Sequence, residues 1–449
     1  MRKKIELYED LFCQYSTHEF SNELKKIAEI LEKHNEILDW VHKDLQEGKK
    51  ESFKGATGMT SEMVLRAAIL KQQRQWSYKE LEFHLADSQS GRSFVKLPYG
   101  ICYSDSTLQE NIKKISHQTW AKINIVLIKY AAENSIEKGR TIRVDSTVVE
   151  TNIHKPTDSQ LIYDCIRVLS RNIFNLNQLN KNNSVQIPRL KFSAKLAKNM
   201  TISILNAKDQ EKREEIYREL ITRAGDDYYQ IDSYIKITES MEIGNKLSKI
   251  ISELEHVKNY LEPILAQTIS RIVEHKSVFS GDKVVSIFEE HTDIIVKSRR
   301  EVEFGHKIFL TTGKSNLILD CQIELGNPSD TNKFLDLIEV QKEIFGRVPR
   351  QTSADGGFAS QENVLKAKEI GIKDVCFSKR CGLSIMQMVK SSWVYTKLKK
   401  FRAGIESNIS ALKRGFGLDR ANWKGLYGFK NYVWSAIVAC NLTILANKL

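Results

Sequence analysis

The chain has 449 residues and carries 68 Lys and Arg against 56 Asp and Glu, which gives a net charge of +12. This excess favours a polyanionic partner, because binding releases the partner's counterions, and nucleic acid is the leading class. A basic protein that is merely soluble is the alternative. The length and the 41% hydrophobic content exclude a disordered chain and, at roughly 100–200 residues per domain, predict two or three domains.

Near the N-terminus, leucine recurs every seven residues at Leu24, Leu31, Leu38 and Leu45. This period predicts helices that either form a short dimerising seam or pack within their own domain. Packing is favoured, because three heptads are close to the lower limit for a coiled coil. The polar segment 46–59, rich in Lys and Gly, is predicted to be a linker.

Two capping-box spacings follow, Ser77 with Glu80 and Ser106 with Gln109. They predict helices from Ser77 to Leu85 and from Ser106 to Ile115, the first entered by a tight turn between Leu65 and Arg74. Short helices joined in this way resemble a helix-turn-helix, so we predict an all-α DNA-binding domain over residues 1–125. Generic three-helix packing is the alternative. The basic residues are Arg66, Lys71, Arg74, Lys79, Lys113 and Lys114, and Arg74 and Lys79 are the candidate DNA contacts.

From Thr141 an alternating β-branched run is typical of a strand, and residues 158–277 then have a helical pattern. Strands on both sides of this helical block predict one mixed α/β domain, residues 138–157 and 278–445, interrupted by an all-α insertion over residues 158–277. The insertion either clamps DNA, pairs subunits or is purely structural, and its basic stretch Lys181–Lys198 mildly favours DNA contact. After it we predict strands at Val284–Val296, Lys307–Glu324, Gln351–Asp355 and Asp374–Ser378, and helices at Asp330–Phe345, at Gln361–Ile370 and from after Ser378 to the end.

Asp145 lies inside the predicted strand, with Val144 and Val148 as apolar neighbours. A carboxylate in this position costs free energy unless it is paired, hydrogen-bonded or bound to a metal. We therefore predict a functional carboxylate, with an aspartate facing water on an edge strand as the alternative.

Asp355 ends a predicted strand and begins the segment DGGF. The two glycines allow a sharp turn and the close approach of a ligand, and the carboxyl ends of strands are where ligand sites form. An Asp-Gly pair that only shapes a loop is equally consistent with the local sequence.

Glu406 follows Arg402 by four residues and precedes Lys413 by seven, so all three share one helix face. An acid between bases suits a metal ligand whose neighbours hold phosphates, whereas a solvated ion pair is the alternative. Two strand aspartates and a helical glutamate can together hold two Mg²⁺ or Mn²⁺ ions roughly 3.5–4 Å apart, the arrangement used for in-line displacement at phosphorus.

These motifs, in the order VDSTVVETNI, EFGHK, ADGGF and R-x-x-x-E-x-x-x-x-x-x-K, resemble the DDE transposases of bacterial insertion sequences. The segment from Met63 to Lys114 resembles the helical N-terminal domain of the same group. The resemblance implies a ribonuclease-H-like catalytic domain that binds terminal inverted repeats, cleaves DNA and joins the freed 3′-hydroxyl ends to target DNA. It implies Asp145, Asp355 and Glu406 as catalytic metal ligands, with Arg402 and Lys413 on DNA phosphates.

One departure concerns the Tyr that related elements often place three residues before the Arg, where this chain has Lys399. The basic residues Lys399 and Lys400 are the candidate substitutes at the phosphate. His306 and Lys307 of EFGHK are further candidate phosphate contacts, with a structural turn as the alternative. A structural role is favoured for four further residues: Asp330 as a helix N-cap, and Trp393, Trp423 and Trp434 as core residues rather than stacking partners of a flipped base.

Two other functions stay open, a ribonuclease-H-like nuclease or resolvase without strand transfer, and an inactive DNA-binding protein derived from a transposase. A transposase is expected to act as a homodimer or larger assembly, because two element ends must be held together. Seven scattered cysteines without zinc spacing, no signal-peptide pattern and no apolar run of about 20 residues predict a cytoplasmic protein, nucleoid-associated when bound to DNA.

Overall fold

The computed structural model describes residues 4, 18–48, 58–98, 100–179, 190, 193–238, 244–296, 301–379 and 381–449. By contact the chain divides into two compact units, Met1–Asn152 with Ile295–Leu449, and Ile153–Ile294. Residues 1–125, expected as a domain of their own, lie in the same unit as the sheet. The expected insertion, residues 158–277, lies inside the second unit.

The first unit begins with helices that pack around a shared apolar core. They are α1 Glu19–Glu32, α2 Glu36–Gln46, α3 Ser61–Arg74, α4 Tyr78–Asp87, α5 Gln89–Val95, α6 Asp105–Ile112 and α7 His117–Glu133. Leu24, Leu31, Leu38 and Leu45 are all buried in this core, so packing within the unit is confirmed over a dimerising seam. Most of the predicted linker, residues 49–57, lies outside the described residues.

Helix α3 is the central helix of this layer, and its residues from Ser61 to Gln72 are buried. The tight turn predicted between Leu65 and Arg74 is wrong, because those residues continue α3 until Gln75 ends it in the left-handed conformation. The capping box of Ser77 and Glu80 is confirmed. The box predicted at Ser106 is wrong, since Ser104 accepts the hydrogen bond from the Thr107 amide at the start of α6.

The second unit is helical and has its own apolar core. Its helices are α8 Asp158–Leu179, α9 Ala194–Asn206, α10 Gln210–Thr238 and α11 Asn245–Thr268. The helical pattern predicted for this part of the chain is confirmed, and α11 buries Leu254, Leu261 and Ile264. Of the basic stretch Lys181–Lys198, residues 181–189, 191 and 192 lie outside the described residues, and Lys195 and Lys198 are exposed on α9.

A mixed sheet forms the middle of the first unit. Its strands are β1 Thr141–Glu150, β2 Asp293–Val296, β3 Val302–Thr312, β4 Ile318–Glu324, β5 Gln351–Ala354 and β6 Asp374–Phe377. β1 is central, antiparallel to β3 and parallel to β5, while β4 pairs antiparallel with β3 and β6 parallel with β5. The run predicted as one strand over Lys307–Glu324 is therefore parts of two antiparallel strands. Of the run predicted at Val284–Val296, the last four residues form β2.

The remaining helices cover the sheet. They are α12 Asp330–Phe345, α13 Gln361–Glu369, α14 Ile385–Met388, α15 Ser392–Gly415 and α16 Gly425–Ala446. α15 packs against β1, β5 and β6, and α12 against β1 and β4. α16 is buried along most of its length and packs against α1, α3 and α7. The prediction of a mixed α/β fold is confirmed.

Within the described residues, every helix is too short or too polar to cross a membrane. The six cysteines of this part of the chain are free thiols. Cys13 lies outside it.

Candidate active site

The two predicted aspartates lie on neighbouring strands. Asp145 is in the middle of β1. The residue before it, Val144, pairs with Ala354 of the parallel strand β5, and Ala354 is the residue before Asp355. Asp355 therefore leaves the end of β5 beside Asp145. Asp145 is only 9% exposed, which fits a carboxylate built into the sheet rather than one that faces water at an edge.

Helix α15 is held onto β1 by Arg143, a buried residue two positions before Asp145. Its guanidinium donates to the Phe401 carbonyl (Nη1, 2.9 Å) and to Thr312 Oγ1 (Nε, 2.8 Å). A Cβ atom on Gly404 would lie 2.2 Å from Arg143 Nη1, so this close approach requires glycine. Neither residue was predicted from local sequence patterns, although an isolated glycine between Arg402 and Glu406 in a helix is a signal of close packing.

Arg402 lies among the three predicted acids. Its Nη2 is 3.1 Å from Asp145 Oδ2 and 3.4 Å from Asp355 Oδ1, and its Nη1 is 2.9 Å from Glu406 Oε1. The structure thus brings together residues from the middle of β1, the end of β5 and α15. Arg402, predicted as a phosphate contact, is here the ion-pair partner of the whole acid set.

The two aspartates have pKa values shifted in opposite directions. Burial raises the pKa of Asp145 to about 6, against the attraction of Arg402. Burial alone would also raise the pKa of Asp355, but hydrogen bonds from Ser378 and the Gly356 amide, with the charge of Arg402, outweigh it and leave the pKa below its usual value. Asp355 is therefore the more readily ionised of the pair.

Asp145, Arg402 and Glu406 line an open cleft of about 910 Å³. Its walls are Gln75 at the end of α3, Asp145 with Ser146 and Thr147 on β1, Arg402, Glu406, Lys413 and Arg414 on α15, and Asp419 beyond it. The helical N-terminal layer thus contributes to the same cleft as the sheet. Lys413 Nζ lies 3.5 Å from Asp419 Oδ1, whereas the Arg414 side chain is exposed.

The structure removes His306 as a phosphate contact. It is completely buried in the middle of β3, with its ring 4.8 Å from the ring of Phe429. Lys307 is mostly buried and its Nζ lies 2.5 Å from Asp330 Oδ1. Lys399 and Lys400, in contrast, are exposed on α15.

The basic residues of the N-terminal helices, which include the predicted DNA contacts Arg74 and Lys79, differ from one another. Arg66 and Lys71 are buried, and burial lowers the pKa of Lys71 to about 8, which makes them structural residues. The Arg74 guanidinium stacks on Phe20, 3.4 Å from the ring centre. Lys79 is exposed on α4.

Asp330 and the tryptophans complete the list of predicted residues. Asp330 is not the N-cap of α12, because Ser329 holds that position, and the Asp330 carboxylate instead accepts a hydrogen bond from Ser146 Oγ (3.2 Å). Trp423 and Trp434 are buried in the core as expected. Trp393 is 70% exposed, contrary to a core role.

The acid set suits a hard divalent cation, because it consists of carboxylate oxygens beside an open cleft. Within the described residues, no three His, Cys, Asp or Glu side chains converge as a preformed metal centre. The Arg402 guanidinium lies between the acids, and its positive charge offsets their mutual repulsion. Mg²⁺ or Mn²⁺ therefore fits the donor set, provided that Arg402 moves.

One part of the chain matches a known protein family. Residues 296–442 match the family described as a transposase DDE domain, which confirms the resemblance to the DDE transposases of insertion elements. The matched segment contains Asp355 and Glu406 and begins after Asp145 and the helical unit. No curated protein and no solved structure matches the chain.

Proposed function

We propose that this protein is a DDE transposase that binds the terminal inverted repeats of its element and catalyses metal-dependent DNA cleavage and strand transfer. One observation carries the proposal: the guanidinium of Arg402 contacts Asp145, Asp355 and Glu406 together. Residues far apart in sequence thus form one acidic site, and two of its acids, Asp145 and Glu406, line an open cleft. The transposase DDE domain over residues 296–442 supports the same conclusion.

The strand arrangement supports a ribonuclease-H-like catalytic domain. Strands β4, β3 and β1 are successive antiparallel neighbours, and β5 and β6 continue the sheet in parallel with β1. The first aspartate is then on the first strand and the second follows the fourth strand of this set. The helical unit enters the chain between β1 and β2.

Asp145, Asp355 and Glu406 are the residues that would hold two Mg²⁺ or Mn²⁺ ions. Such ions, when bound, activate the attacking oxygen and stabilise the leaving oxygen at phosphorus. The chain fixes both aspartates in place, since the Ser146 amide donates to Asp145 Oδ1 (2.9 Å) and Ser378 Oγ donates to Asp355 Oδ1 (2.5 Å). Oriented carboxylates of this kind lower the cost of assembling a reactive geometry.

Arg402 has two roles in this proposal. In the free protein its guanidinium offsets the mutual repulsion of the acids, which a planar group with five donors can do for several carboxylates at once. Were cations to hold the acids, the Arg402 guanidinium would be free to contact a DNA phosphate from the same wall of the cleft. If Arg402 first pairs with the acids and later with a DNA phosphate, the ion pairs in the structure agree with the phosphate contact that the family resemblance implies.

DNA is expected to follow the exposed cations of α15, Lys399, Lys400 and Arg414, together with Lys413. Cations of this kind bind phosphates without reading sequence, so they hold the strand in register. Lys79 on α4 is the exposed candidate contact of the helical layer. Two protein copies or more are expected on paired element ends.

The test is a cleavage and joining assay with DNA that carries the element's ends, in Mg²⁺ or Mn²⁺. The wild-type protein should nick the ends and produce joined molecules, whereas Asp145→Asn should bind the same DNA but not cleave it. Asp336→Asn, on the exposed side of α12, is the control for the loss of one negative charge. Full cleavage by Asp145→Asn would overturn the proposal, and cleavage without joined products would favour a nuclease.

A further inference from the structure

The start of α12 touches the chain next to each of the two aspartates. Asp330 Oδ1 accepts a hydrogen bond from Ser146 Oγ (3.2 Å), and Ser146 directly follows Asp145. A Cβ atom on Gly357 would lie 2.6 Å from Asp330 Oδ2, and Gly357 is two residues after Asp355. One carboxylate therefore lies against both aspartate-bearing segments.

A second contact ties α12 to the segment after Asp355. Thr331 Oγ1 donates to the Gly357 carbonyl (2.9 Å). The second glycine of DGGF thus allows the Asp330 carboxylate to lie close to the backbone, because any side chain at Gly357 would displace this carboxylate. This role differs from the approach of a ligand that the two adjacent glycines predict.

Lys307 fixes Asp330 from β3. Its Nζ is 2.5 Å from Asp330 Oδ1 and 3.2 Å from the Pro328 carbonyl. Both side chains are mostly buried, at 15% exposure for Lys307 and 19% for Asp330. Burying such a pair costs desolvation that its mutual attraction barely offsets, so its contribution is to geometry more than to stability.

Asp330 approaches the site from the side opposite to Arg402. Successive residues of a strand point to opposite faces of the sheet. Asp145 pairs with Arg402 on α15, and Ser146 bonds to Asp330 on α12. Asp330 therefore supports the acid set from behind and does not share the face on which the three acids meet.

We infer that Asp330, held by Lys307, is a positioning residue that sets the spacing between Asp145 and Asp355. The inference rests on the proposed function of those two aspartates as metal ligands. Mutation of a residue that contacts a metal ligand, and not the metal itself, typically lowers metal affinity by roughly 10–100-fold. Lys307 is accordingly a structural cation and not a phosphate contact.

Mn²⁺ binding to the DNA-free protein tests the inference, measured from the electron paramagnetic resonance signal of unbound Mn²⁺. The decisive variants are Lys307→Met and Asp330→Asn. If the two residues acted through charge alone, loss of the cation would tighten Mn²⁺ binding and loss of the anion would weaken it. Positioning predicts that both variants weaken binding, by about tenfold.

The matched controls are Lys333→Met and Asp336→Asn, which remove the same charges from a second ion pair on α12 (3.6 Å) and should leave Mn²⁺ binding unchanged. Thr331→Val adds a variant of unchanged charge and nearly unchanged volume, and it should weaken binding several-fold while the thermal transition persists. Tighter binding by Lys307→Met, or variants that all match the controls, would overturn the inference. Wild-type protein that binds Mn²⁺ no better than Asp145→Asn would instead overturn the proposed function on which it rests.

Discussion

The Arg402 guanidinium lies 3.1 Å from the Asp145 carboxylate, in the space between the acids where a divalent cation is expected. A positive side chain and a metal ion then compete for the same oxygens. Metal binding to the free protein must therefore displace an arginine that already meets three carboxylates.

Arg402→Gln should bind Mn²⁺ more tightly than the wild type, by several-fold, because no guanidinium has to be displaced. It should also melt at a lower temperature without metal, since the acids then repel one another, and gain more stability when Mn²⁺ is added. Titration calorimetry and thermal melting measure the two effects. Lys397→Gln, which removes an exposed cation of the same helix outside the cleft lining, is the control, and weaker Mn²⁺ binding by Arg402→Gln would contradict the prediction.

Gly404→Ala should displace α15 from β1. The new methyl group would lie 2.2 Å from Arg143 Nη1, and overpacking of this kind costs about 1–3 kcal/mol of unfolding free energy. We expect a lower urea midpoint and a DNA cleavage rate reduced at least about tenfold, because Arg402 and Glu406 move with the helix.

Gly415→Ala on the same helix provides the comparison, since nothing lies within 4 Å of a Cβ atom there. Alanine should be neutral or slightly stabilising at that position. Equal urea midpoints for the two variants would show that α15 does not depend on the contact between Gly404 and Arg143.

The contribution of Asp320 to the stability of the metal-free protein should fall as the pH rises from about 4 to 6. Burial raises the pKa of Asp320 on β4 from 3.8 to about 6, so in this window the folded state holds a proton that the unfolded state has lost. The free energy of unfolding then decreases with pH, by up to about 1.4 kcal/mol per pH unit for each such group. Asp145 has a pKa shifted in the same direction.

Asp320→Asn should flatten this profile, leaving the contribution of Asp145. Urea midpoints measured between pH 4 and 7 give the comparison with the wild type. A profile as steep in Asp320→Asn as in the wild type would show that this carboxyl does not titrate in the window.

Lys399→Gln and Lys400→Gln should each weaken DNA binding and flatten its salt dependence. Each phosphate contact that is lost lowers the slope of log affinity against log salt by roughly 0.9. Fluorescence anisotropy over a range of salt concentrations measures the slope. Lys366→Gln, whose lysine is exposed on α13 and paired with Glu362 (2.5 Å), should leave the slope unchanged.

The sequence predicted the elements whose signals are local. The helix at Asp330–Phe345 and the start of β1 at Thr141 occur as predicted, because periodicity and β-branched runs act within a few residues. The pattern over Lys307–Glu324 predicts one strand, because the segments on both sides of the turn are apolar, whereas the structure has two strands there. The tight turn before Arg74 failed because a helix buried on all sides shows no amphipathic period.

The contacts that organise the site could not be predicted from local sequence patterns. Arg143 and Gly404 meet from positions 261 residues apart, and Lys307 meets Asp330 across two elements. Each acid had a recognisable neighbourhood in the sequence, but nothing local placed Arg402 between them. Side-chain contacts between distant elements depend on packing, which one sequence does not reveal.

The packing of α16 against α1, α3 and α7 has a consequence for the order of events during synthesis. The apolar sides of the first helices stay uncovered until Gly425–Ala446 has left the ribosome. β1 likewise has no strand partner until β3 has been made, after the whole helical unit. We therefore expect a nascent chain to carry Asp145 long before its partners on β5 and α15 are made, and its first helices to complete their packing only once α16 is made.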